Sequence, residues 1–349
     1  MAIVKSFYRT GAIAAAGIIA AIGLTCGCAV RSLPISRGSE RLLKANEVQA
    51  NSLGFRFMPG GERYVMQLFR ARLPREPFEV EMERSLSRLP AARVSLNGGK
   101  PILMIVDTGA QLSVVEASRA LEAKAKVFAP SGGVLRVTGV GGDEKAWLAQ
   151  FDSARLGPTE FNGLVTVLRR ETSQLEFLRL PFGSLQVNLL GSPVLAAFSY
   201  VTFDFSAERF AFSGGTPFVP TREARRIPLT MRESLPYVTL RIGGREIPAL
   251  VDTGARDQLF LNDETVRKWG MEAFAKDGRT FKAAGLGGTI SGTQFKLPLV
   301  HVGDVPVRDV VVDTSSGPWP ARIGSELLER WRVTFDYKGR ALWLEPAVR

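Results

Sequence analysis

The sequence is poor in the residues that form disulfide bonds or bind transition metals. Of its 349 residues, two are cysteine and one is histidine. Both cysteines, Cys26 and Cys28, lie near the N-terminus, so the rest of the chain cannot hold a disulfide bond. A single histidine excludes zinc sites that need two or more histidine ligands. His301 lies in the strand-like run 297–302, and we interpret it as structural.

Long apolar runs are also scarce. The clearest one, residues 11–24, follows the basic residues Lys5 and Arg9. It is shorter than the roughly 20 residues of a membrane-spanning helix and has the length of a signal-sequence apolar region. Gly27-Cys28 then resembles the cleavage site of bacterial lipoproteins, in which the cysteine is lipidated. We therefore expect residues 1–28 to be a signal sequence with Cys28 as the lipid attachment site; an uncleaved anchor and plain secretion are the alternatives.

This segment also predicts a location. Lipidation, an uncleaved anchor and secretion all place the rest of the chain in the cell envelope. Ala29, and not aspartate, follows Cys28. By resemblance to lipoprotein sorting signals, this favours the periplasmic face of the outer membrane over the inner membrane.

Acidic residues are fewer than basic ones. Lys and Arg total 45 and Asp and Glu 34, which gives a net charge of +11. Such a charge favours anionic membrane surfaces and acidic partners. Nucleic-acid binding would call for a basic helix, a basic strand with interleaved aromatics or a zinc module, and the sequence shows none of them. We interpret the excess as solvated surface and expect no nucleic-acid partner.

The most informative feature present is a tetrapeptide that occurs twice. Asp-Thr-Gly-Ala stands at residues 107–110 and again at 252–255, each time after an apolar strand-like segment. A pair of glycines, at 98–99 and at 243–244, lies equally far before each aspartate. Two copies in matching context indicate two aspartates delivered by duplicated units. That is what a two-carboxylate catalytic site needs.

The duplication continues after each tetrapeptide with a glycine-rich tip, an apolar-Gly-Ser step and a closing strand pair. The tips are Gly139, Val140, Gly141 and Gly142 in the first copy and Gly285, Leu286, Gly287 and Gly288 in the second. Each tip is typical of a β-hairpin turn. Their placement favours two flaps over a cleft; bare hairpin turns are the alternative. Each copy has the size of a domain, so we predict two homologous lobes.

These motifs resemble the aspartic proteases, and the bacterial relatives of retroviral proteases more than the pepsins. The resemblance covers about 77–349 and implies a mostly β, bilobal fold: two homologous β-barrel-like lobes, about one helix each, and psi-loops around the active site. It implies Asp107 and Asp252 as the catalytic pair, without metal or cofactor. The supporting residues would be Thr108, Gly109, Ala110, Thr253, Gly254 and Ala255. The threonines would hydrogen-bond across the axis to the opposite loop, and the glycines would let the chain turn beside the carboxylates.

One departure from the family concerns the psi-loop. The family usually has two apolar residues before the psi-loop glycine, whereas the second copy has Arg322-Ile323. Another difference separates the chain from the pepsins, which mostly have Ser or Thr after Asp-Thr-Gly. Here both positions are alanine, which removes two donors that would favour the ionised pair. We therefore expect a bell-shaped kcat/KM profile that peaks at roughly pH 5 to 6.5.

The predicted organisation has five parts: a signal sequence with lipobox (1–28), an N-terminal segment (29–90), lobe 1 (91–213), a linker rich in Gly, Pro and charge (214–226) and lobe 2 (227–349). For 29–90 we expect a tether with an extra strand or helix packed on lobe 1; an inhibitory pro-segment is the alternative. Residues 77–80 are a plausible entry strand. A helix is expected after Asn262 as N-cap, and its counterpart over Ser113–Val127.

The sequence thus predicts an aspartic endopeptidase that hydrolyses envelope proteins or peptides. The alternative is a non-catalytic envelope lipoprotein that binds an extended peptide on the same fold. Degenerate copies usually lose an aspartate, threonine or glycine of the motif, and here all six are intact. We expect a polypeptide substrate, a membrane contact through the lipid anchor, and a monomer because both lobes are in one chain.

Overall fold

The computed structural model describes residues 2–8, 12–14, 28–49, 52, 55–57, 63–128, 135–139, 142–177, 180–185, 187–285 and 288–347. The N-terminal part contains β1 (Ala2–Tyr8), β2 (Ala12–Ala14), β3 (Cys28–Pro34), α1 (Arg37–Lys44), β4 (Phe55–Phe57), β5 (Arg63–Arg72), β6 (Phe78–Glu81) and β7 (Glu83–Arg84). Residues 1, 9–11 and 15–27 of the predicted signal sequence lie outside the described residues. Within the described part, no helix is long and apolar enough to cross a membrane.

Lobe 1 consists mostly of strands: β8 (Pro90–Leu96), β9 (Ile102–Asp107), β10 (Val114–Glu116), α2 (Ala117–Glu122), β11 (Lys126–Phe128), β12 (Leu135–Gly139), β13 (Gly142–Leu156), β14 (Thr159–Arg169), β15 (Glu171–Phe177), β16 (Leu180–Leu185), β17 (Leu189–Gly191), α3 (Ser192–Leu195), β18 (Tyr200–Asp204) and β19 (Arg209–Ser213).

Lobe 2 has a similar order, with two helices after β24 and no counterpart of the β15–β16 hairpin among its described residues: β20 (Arg225–Pro228), β21 (Thr230–Arg232), β22 (Leu235–Ile242), β23 (Arg245–Asp252), β24 (Leu259–Asn262), α4 (Asp263–Lys268), α5 (Glu272–Lys276), β25 (Arg279–Gly285), β26 (Gly288–Val302), β27 (Val305–Ser315), β28 (Arg322–Gly324), α6 (Ser325–Leu328), β29 (Trp331–Asp336) and β30 (Ala341–Pro346).

Each lobe closes a ring of six strands, and the two rings have the same order. In lobe 1 the ring runs β8-β9-β17-β10-β14-β13 and returns to β8; in lobe 2 it runs β22-β23-β28-β24-β27-β26 and returns to β22. Most of the residues that these strands bury are apolar, chiefly Val, Leu, Ile and Phe, and their burial supplies the main stabilisation of the lobes. The prediction of a mostly β, bilobal fold is confirmed.

The duplicated psi-loops have the expected strand order. β17 lies between β9, with which it pairs in parallel, and β10, with which it pairs antiparallel. Gly191 stands opposite Asp107 in this pairing. In lobe 2, β28 lies in the same way between β23 and β24, and Gly324 stands opposite Asp252. Each aspartate therefore ends its strand beside the glycine of the psi-loop.

A six-stranded sheet joins the lobes, in the order β20-β30-β29-β18-β19-β6. β18 of lobe 1 pairs antiparallel with β29 of lobe 2, so that Thr202 lies opposite its counterpart Thr334. Their hydroxyl oxygens are 2.8 Å apart. Buried phenylalanines pack beneath this sheet, among them Phe203, Phe210 and Phe335. This sheet fixes the two lobes to each other.

The N-terminal segment packs on lobe 1. Helix α1 is capped by Ser36, whose Oγ accepts a hydrogen bond from the N–H of Ser39, and Leu43 is buried against lobe 1. The N–H of Val48 donates to the carbonyl of Val127 at 2.8 Å. The expected entry strand is present as β6, which pairs with β19 at the edge of the interlobe sheet.

The helix expectations were right in one lobe and wrong in the other. Asn262 caps α4, because its Oδ1 accepts from the N–H of Thr265 at 2.8 Å. The predicted helix over Ser113–Val127 is wrong: only Ala117–Glu122 is helical, between strands β10 and β11. Val114 and Val115 prefer extended backbone, and their burial between β14 and β17 outweighs the helical propensity of the following alanines. In the described parts, single-turn helices α3 and α6 follow the psi-loops, so each lobe has more than one helix.

Both glycine-rich tips close antiparallel hairpins. β12 pairs with β13 as far as Gly139 and Gly142, and β25 pairs with β26 as far as Gly285 and Gly288. The turn residues Val140, Gly141, Leu286 and Gly287 lie outside the described residues. The position of the two hairpins over a cleft therefore stays a prediction.

Candidate active site

Asp107 and Asp252 lie together on the axis that relates the two lobes. Both are fully buried, and they are close enough for each carboxyl group to shift the pKa of the other. Each ends a ring strand, β9 or β23, where an apolar segment delivers the carboxyl group into the interface between the lobes. The two aspartates that the tetrapeptides indicate are thus neighbours in space.

The two motif glycines are required by this close approach. A Cβ atom at Gly109 would overlap the carboxyl carbon of Asp252, and one at Gly254 would overlap that of Asp107. The obstacle is in each case the carboxyl group of the opposite loop. Only glycine lets both loops reach the axis together.

The two motif threonines lock the loops to each other. The hydroxyl of Thr108 donates to the carbonyl of Val251 (2.7 Å), and that of Thr253 donates to the carbonyl of Val106 (2.6 Å). In return, the N–H of Thr108 donates to Thr253 Oγ1 (3.1 Å), and the N–H of Thr253 donates to Thr108 Oγ1 (3.0 Å). These four hydrogen bonds are buried, cross between the lobes and obey the twofold symmetry.

The carboxyl oxygens divide into two kinds. Oδ1 of Asp107 accepts from the N–H of Gly109 (2.8 Å), and Oδ1 of Asp252 accepts from the N–H of Gly254 (3.0 Å). The Oδ2 atoms are also buried, but among the described residues no donor reaches either of them. Oδ1 is therefore held by the backbone, whereas Oδ2 is free of such a bond from the described residues.

The motif alanines connect each loop to its psi-loop. Ala110 and Ala255 are buried, and their carbonyls accept from the N–H groups of Ser192 (2.9 Å) and Ser325 (2.7 Å). Their methyl side chains offer no hydroxyl to the carboxylates. This agrees with the sequence argument that the pair lacks two donors, and the pH profile itself stays a prediction.

The electrostatics favour one retained proton. Burial, and then the negative charge of Asp252, raise the pKa of Asp107 well above its usual range. Burial raises the pKa of Asp252 to about 7, while the charge of Arg322 acts in the opposite direction. Two buried carboxyl groups this close cannot both ionise easily, because their negative charges repel, so they hold one proton between them over a wide pH range.

Three charged residues near Asp252 were not predicted as part of the site. Arg322 is buried and pairs with Asp257, which is also buried; Nε of Arg322 lies 3.2 Å from Asp257 Oδ2 and 3.8 Å from Asp252 Oδ2. Asp313 is the third, and its Oδ1 accepts from Gln294 Nε2 at 2.8 Å. The sequence contained one signal, the arginine at a psi-loop position that is usually apolar.

The remaining predicted site residues are Cys28 and the glycine-rich tips, and their side chains lie outside the described part of the structure. Cys28 begins strand β3, but its side chain is not described, nor are those of the glycine-rich tips. Across the described residues, no group of three or more metal-ligating side chains lies close enough to hold an ion.

Comparison with known proteins gives one family match. The family described as aspartyl protease matches residues 92–194 and 238–321, more than half of the chain. Among solved structures, the chain is similar to a retropepsin-like aspartic protease from Rickettsia conorii, with 22% identity over 35% of this chain and 89% of that one and a TM-score of 0.29. It is also similar to conglutin gamma, a basic 7S globulin from lupine seeds, with 12% identity over 78% of this chain and 95% of that one and a TM-score of 0.46. No curated protein matches the sequence.

Proposed function

The chain belongs to the aspartyl protease family, and from that membership we propose that it is an active endopeptidase that hydrolyses peptide bonds with a water molecule activated by Asp107 and Asp252. One observation carries the proposal. The two buried carboxyl groups lie side by side, each against the motif glycine of the opposite loop, while their Oδ2 atoms receive no hydrogen bond from any donor in the described part of the chain. Most buried polar atoms have a hydrogen-bond partner, so a pair of buried acceptors without one calls for an explanation, and a catalytic role supplies it.

The proposed reaction begins with one proton on the pair. The ionised carboxylate accepts a proton from the water, whose oxygen forms a bond to the carbonyl carbon of the substrate. The protonated carboxyl group hydrogen-bonds the oxyanion that develops. A proton then passes to the leaving nitrogen as the carbon–nitrogen bond breaks. The pair ends with one proton, as it began.

The loops around the pair supply its preorganisation. The four threonine hydrogen bonds and the two glycine N–H groups fix both carboxyl groups before any substrate binds. Groups that are already oriented need no reorganisation at the transition state, and this preorganisation lowers the activation barrier. The six-stranded interlobe sheet holds the two halves of the site in one chain. This supports the proposal of a monomer.

The substrate and the location rest on chemistry and sequence. We propose a polypeptide substrate because the pair supplies the base and the acid that amide hydrolysis requires. The signal-like N-terminus and Cys28 support lipid attachment in the cell envelope, with envelope proteins or peptides as targets.

The test is cleavage of a peptide library by the purified protein, read by mass spectrometry. Asp107→Asn and Asp252→Asn should each abolish cleavage and leave the unfolding temperature nearly unchanged. Asp309→Asn is the matched control, because Asp309 is an exposed residue of strand β27 with a positive φ of 52° that asparagine also tolerates. Cleavage that survives either catalytic replacement would refute the mechanism. Saturable peptide binding without any cleavage would favour the non-catalytic alternative.

A further inference from the structure

The two lobes differ most sharply at three buried positions around the catalytic pair. Each position is leucine in lobe 1 and charged in lobe 2, and the pairs are Leu112 and Asp257, Leu168 and Asp313, and Leu189 and Arg322. Leu112 and Asp257 each stand five residues after the aspartate of their lobe, and each lies against the psi-loop glycine of that lobe. The second follows the valine that pairs with β10 or β24. The third lies two residues before each psi-loop glycine.

The arginine is held rigidly. Its guanidinium binds Asp257 through Nε and Nη2 and packs over the ring of Phe260 with 4.9 Å to the centroid. The residue is only 3% exposed. In this position its Nε lies 3.8 Å from Oδ2 of Asp252, the oxygen that receives no donor among the described residues.

Stability alone gives little reason for this arrangement. A buried ion pair is often no more stabilising than apolar residues of similar size, because both charges lose their hydration. Lobe 1 fills the corresponding positions with leucines, so the fold does not require the charges. The arrangement does place a fixed positive charge beside one catalytic carboxyl group and an apolar side chain in the corresponding position near the other.

We propose that Arg322, oriented by Asp257 and Phe260, is a positioning residue that makes the catalytic pair asymmetric. Asp252 is the member that ionises first and takes the proton of the water, and Asp107 is the member that holds the shared proton. The catalytic meaning of this assignment rests on the proposed function. Which of the two carboxyl groups holds the proton does not depend on the proposed function, and it can be measured without turnover.

The other titratable groups near Asp252 do not cancel the effect of Arg322 on its pKa. After burial, the charge of Arg322 is the largest influence on the pKa of Asp252 and lowers it, while Asp257 raises it by a smaller amount. Asp313 faces Asp257 and Arg322 from strand β27, and burial raises its pKa to about 7, so it carries little negative charge in acid. Tyr237 faces Asp252 from strand β22, and burial raises its pKa above its usual value, so it stays neutral.

The charge of Arg322 should shift the acid limb of the kcat/KM profile to lower pH. A catalytic pair with both protons lacks the base, so the acid limb of the kcat/KM profile marks the first ionisation. Arg322 favours the ionised form of Asp252 and therefore holds that limb at lower pH. A nearby opposite charge typically lowers a carboxyl pKa by about one to three. Removing the charge should move the acid limb upward by about one pH unit or more.

The first experiment measures that limb in the full-length protein. Arg322→Gln removes the charge and keeps a donor for Asp257; Arg322→Lys keeps the charge. Arg256→Gln is the matched control, because Arg256 lies next to Asp257 in the loop after β23 but pairs with Glu329 at 2.5 Å. We expect the acid limb to move upward in Arg322→Gln only. A limb that stays within about 0.3 pH units of the wild type in a folded Arg322→Gln protein, or one that moves as far in the control, would overturn the proposal.

The second experiment needs no activity. Asp107→Asn leaves Asp252 as the single carboxyl group of the pair, and Asp252→Asn leaves Asp107. With ¹³C-labelled aspartate, the carboxyl titration of each is assigned by difference from the double Asn variant. We expect Asp252 to titrate at lower pH than Asp107, and the difference to shrink when Arg322→Gln is added. Equal titrations, the reverse order, or a difference that Arg322→Gln leaves intact would each refute the assignment.

The two experiments separate the two claims. An inactive wild-type protein would count against the proposed peptidase, and the carboxyl titrations would still decide the role of Arg322. Should Arg322→Gln not fold, Arg322→Leu combined with Asp257→Leu replaces it, because this double variant installs the side chains of lobe 1. The same loss of asymmetry is expected.

Discussion

Replacing Thr253 with valine should destabilise the protein far more than its small change in shape suggests. Valine keeps the volume and the β-branch but has no hydroxyl. Two buried backbone groups of the opposite loop then lose a partner: the carbonyl of Val106 and the N–H of Thr108. A buried group left unsatisfied costs about 1–3 kcal/mol, so the pair should cost roughly 2–6 kcal/mol. That is a large part of the 5–15 kcal/mol by which a typical domain is stable.

The same pseudo-twofold axis supplies the control. Thr202 and Thr334 are also buried and lie 2.8 Å apart, but they hydrogen-bond each other. Replacing both with valine removes both partners at once and leaves no backbone group unsatisfied by that loss, so we expect a change of about 1 kcal/mol or less. Urea unfolding followed by tryptophan fluorescence gives both values. A Thr253→Val protein that loses no more than this double variant would refute the argument, and Thr253→Ser, which keeps the hydroxyl, should recover most of the loss.

Three further predictions concern titration and attachment. The kcat/KM profile should peak at roughly pH 5 to 6.5, and Ala110→Ser with Ala255→Ser should move its acid limb down, because two hydroxyl donors would favour the ionised pair; a peak near pH 2 to 3, or no shift in the double variant, would contradict this. Burial raises the pKa of Asp313 to about 7, so its contribution to stability is complete below the unfolded pKa and is lost as pH rises through about 7. Asp313→Asn should therefore gain unfolding temperature relative to wild type between pH 5 and pH 8, and a constant difference across that range would disprove the linkage. Cys28→Ser should release activity from the membrane fraction, and a wild-type protein that a fatty-acid analogue fails to label would reject lipidation.

The central part of the site could be predicted because the sequence carries it twice. Each Asp-Thr-Gly is a local segment whose neighbours in space, the psi-loop step and the opposite loop, are copies of one pattern. The threonine hydrogen bonds and the overlap that Gly109 and Gly254 avoid follow from bringing two such copies to one axis. Symmetry supplies the long-range contact that a single copy could not indicate.

Other features depend on contacts that no local pattern encodes. The interlobe sheet pairs β18 with β29, whose residues are far apart in sequence. The helix expected over Ser113–Val127 failed because Val114 and Val115 are held as a strand by β14 and β17. Asp257 and Asp313 looked like ordinary charges in the sequence. Their significance appears only when the barrel of lobe 2 brings them to Arg322.

The asymmetry around Asp252 is possible because the two lobes are parts of one chain. In a symmetric homodimer, any charge placed beside one catalytic aspartate appears beside the other as well. Arg322 would then favour ionisation of both carboxyl groups and would work against the single retained proton on which the chemistry depends. With both lobes in one chain, one psi-loop can keep Leu189 while the other carries Arg322. The backbone, the threonine hydrogen bonds and the glycines retain twofold symmetry, because they position both carboxyl groups alike. The buried charges do not, which is what the two different roles proposed for the carboxyl groups require.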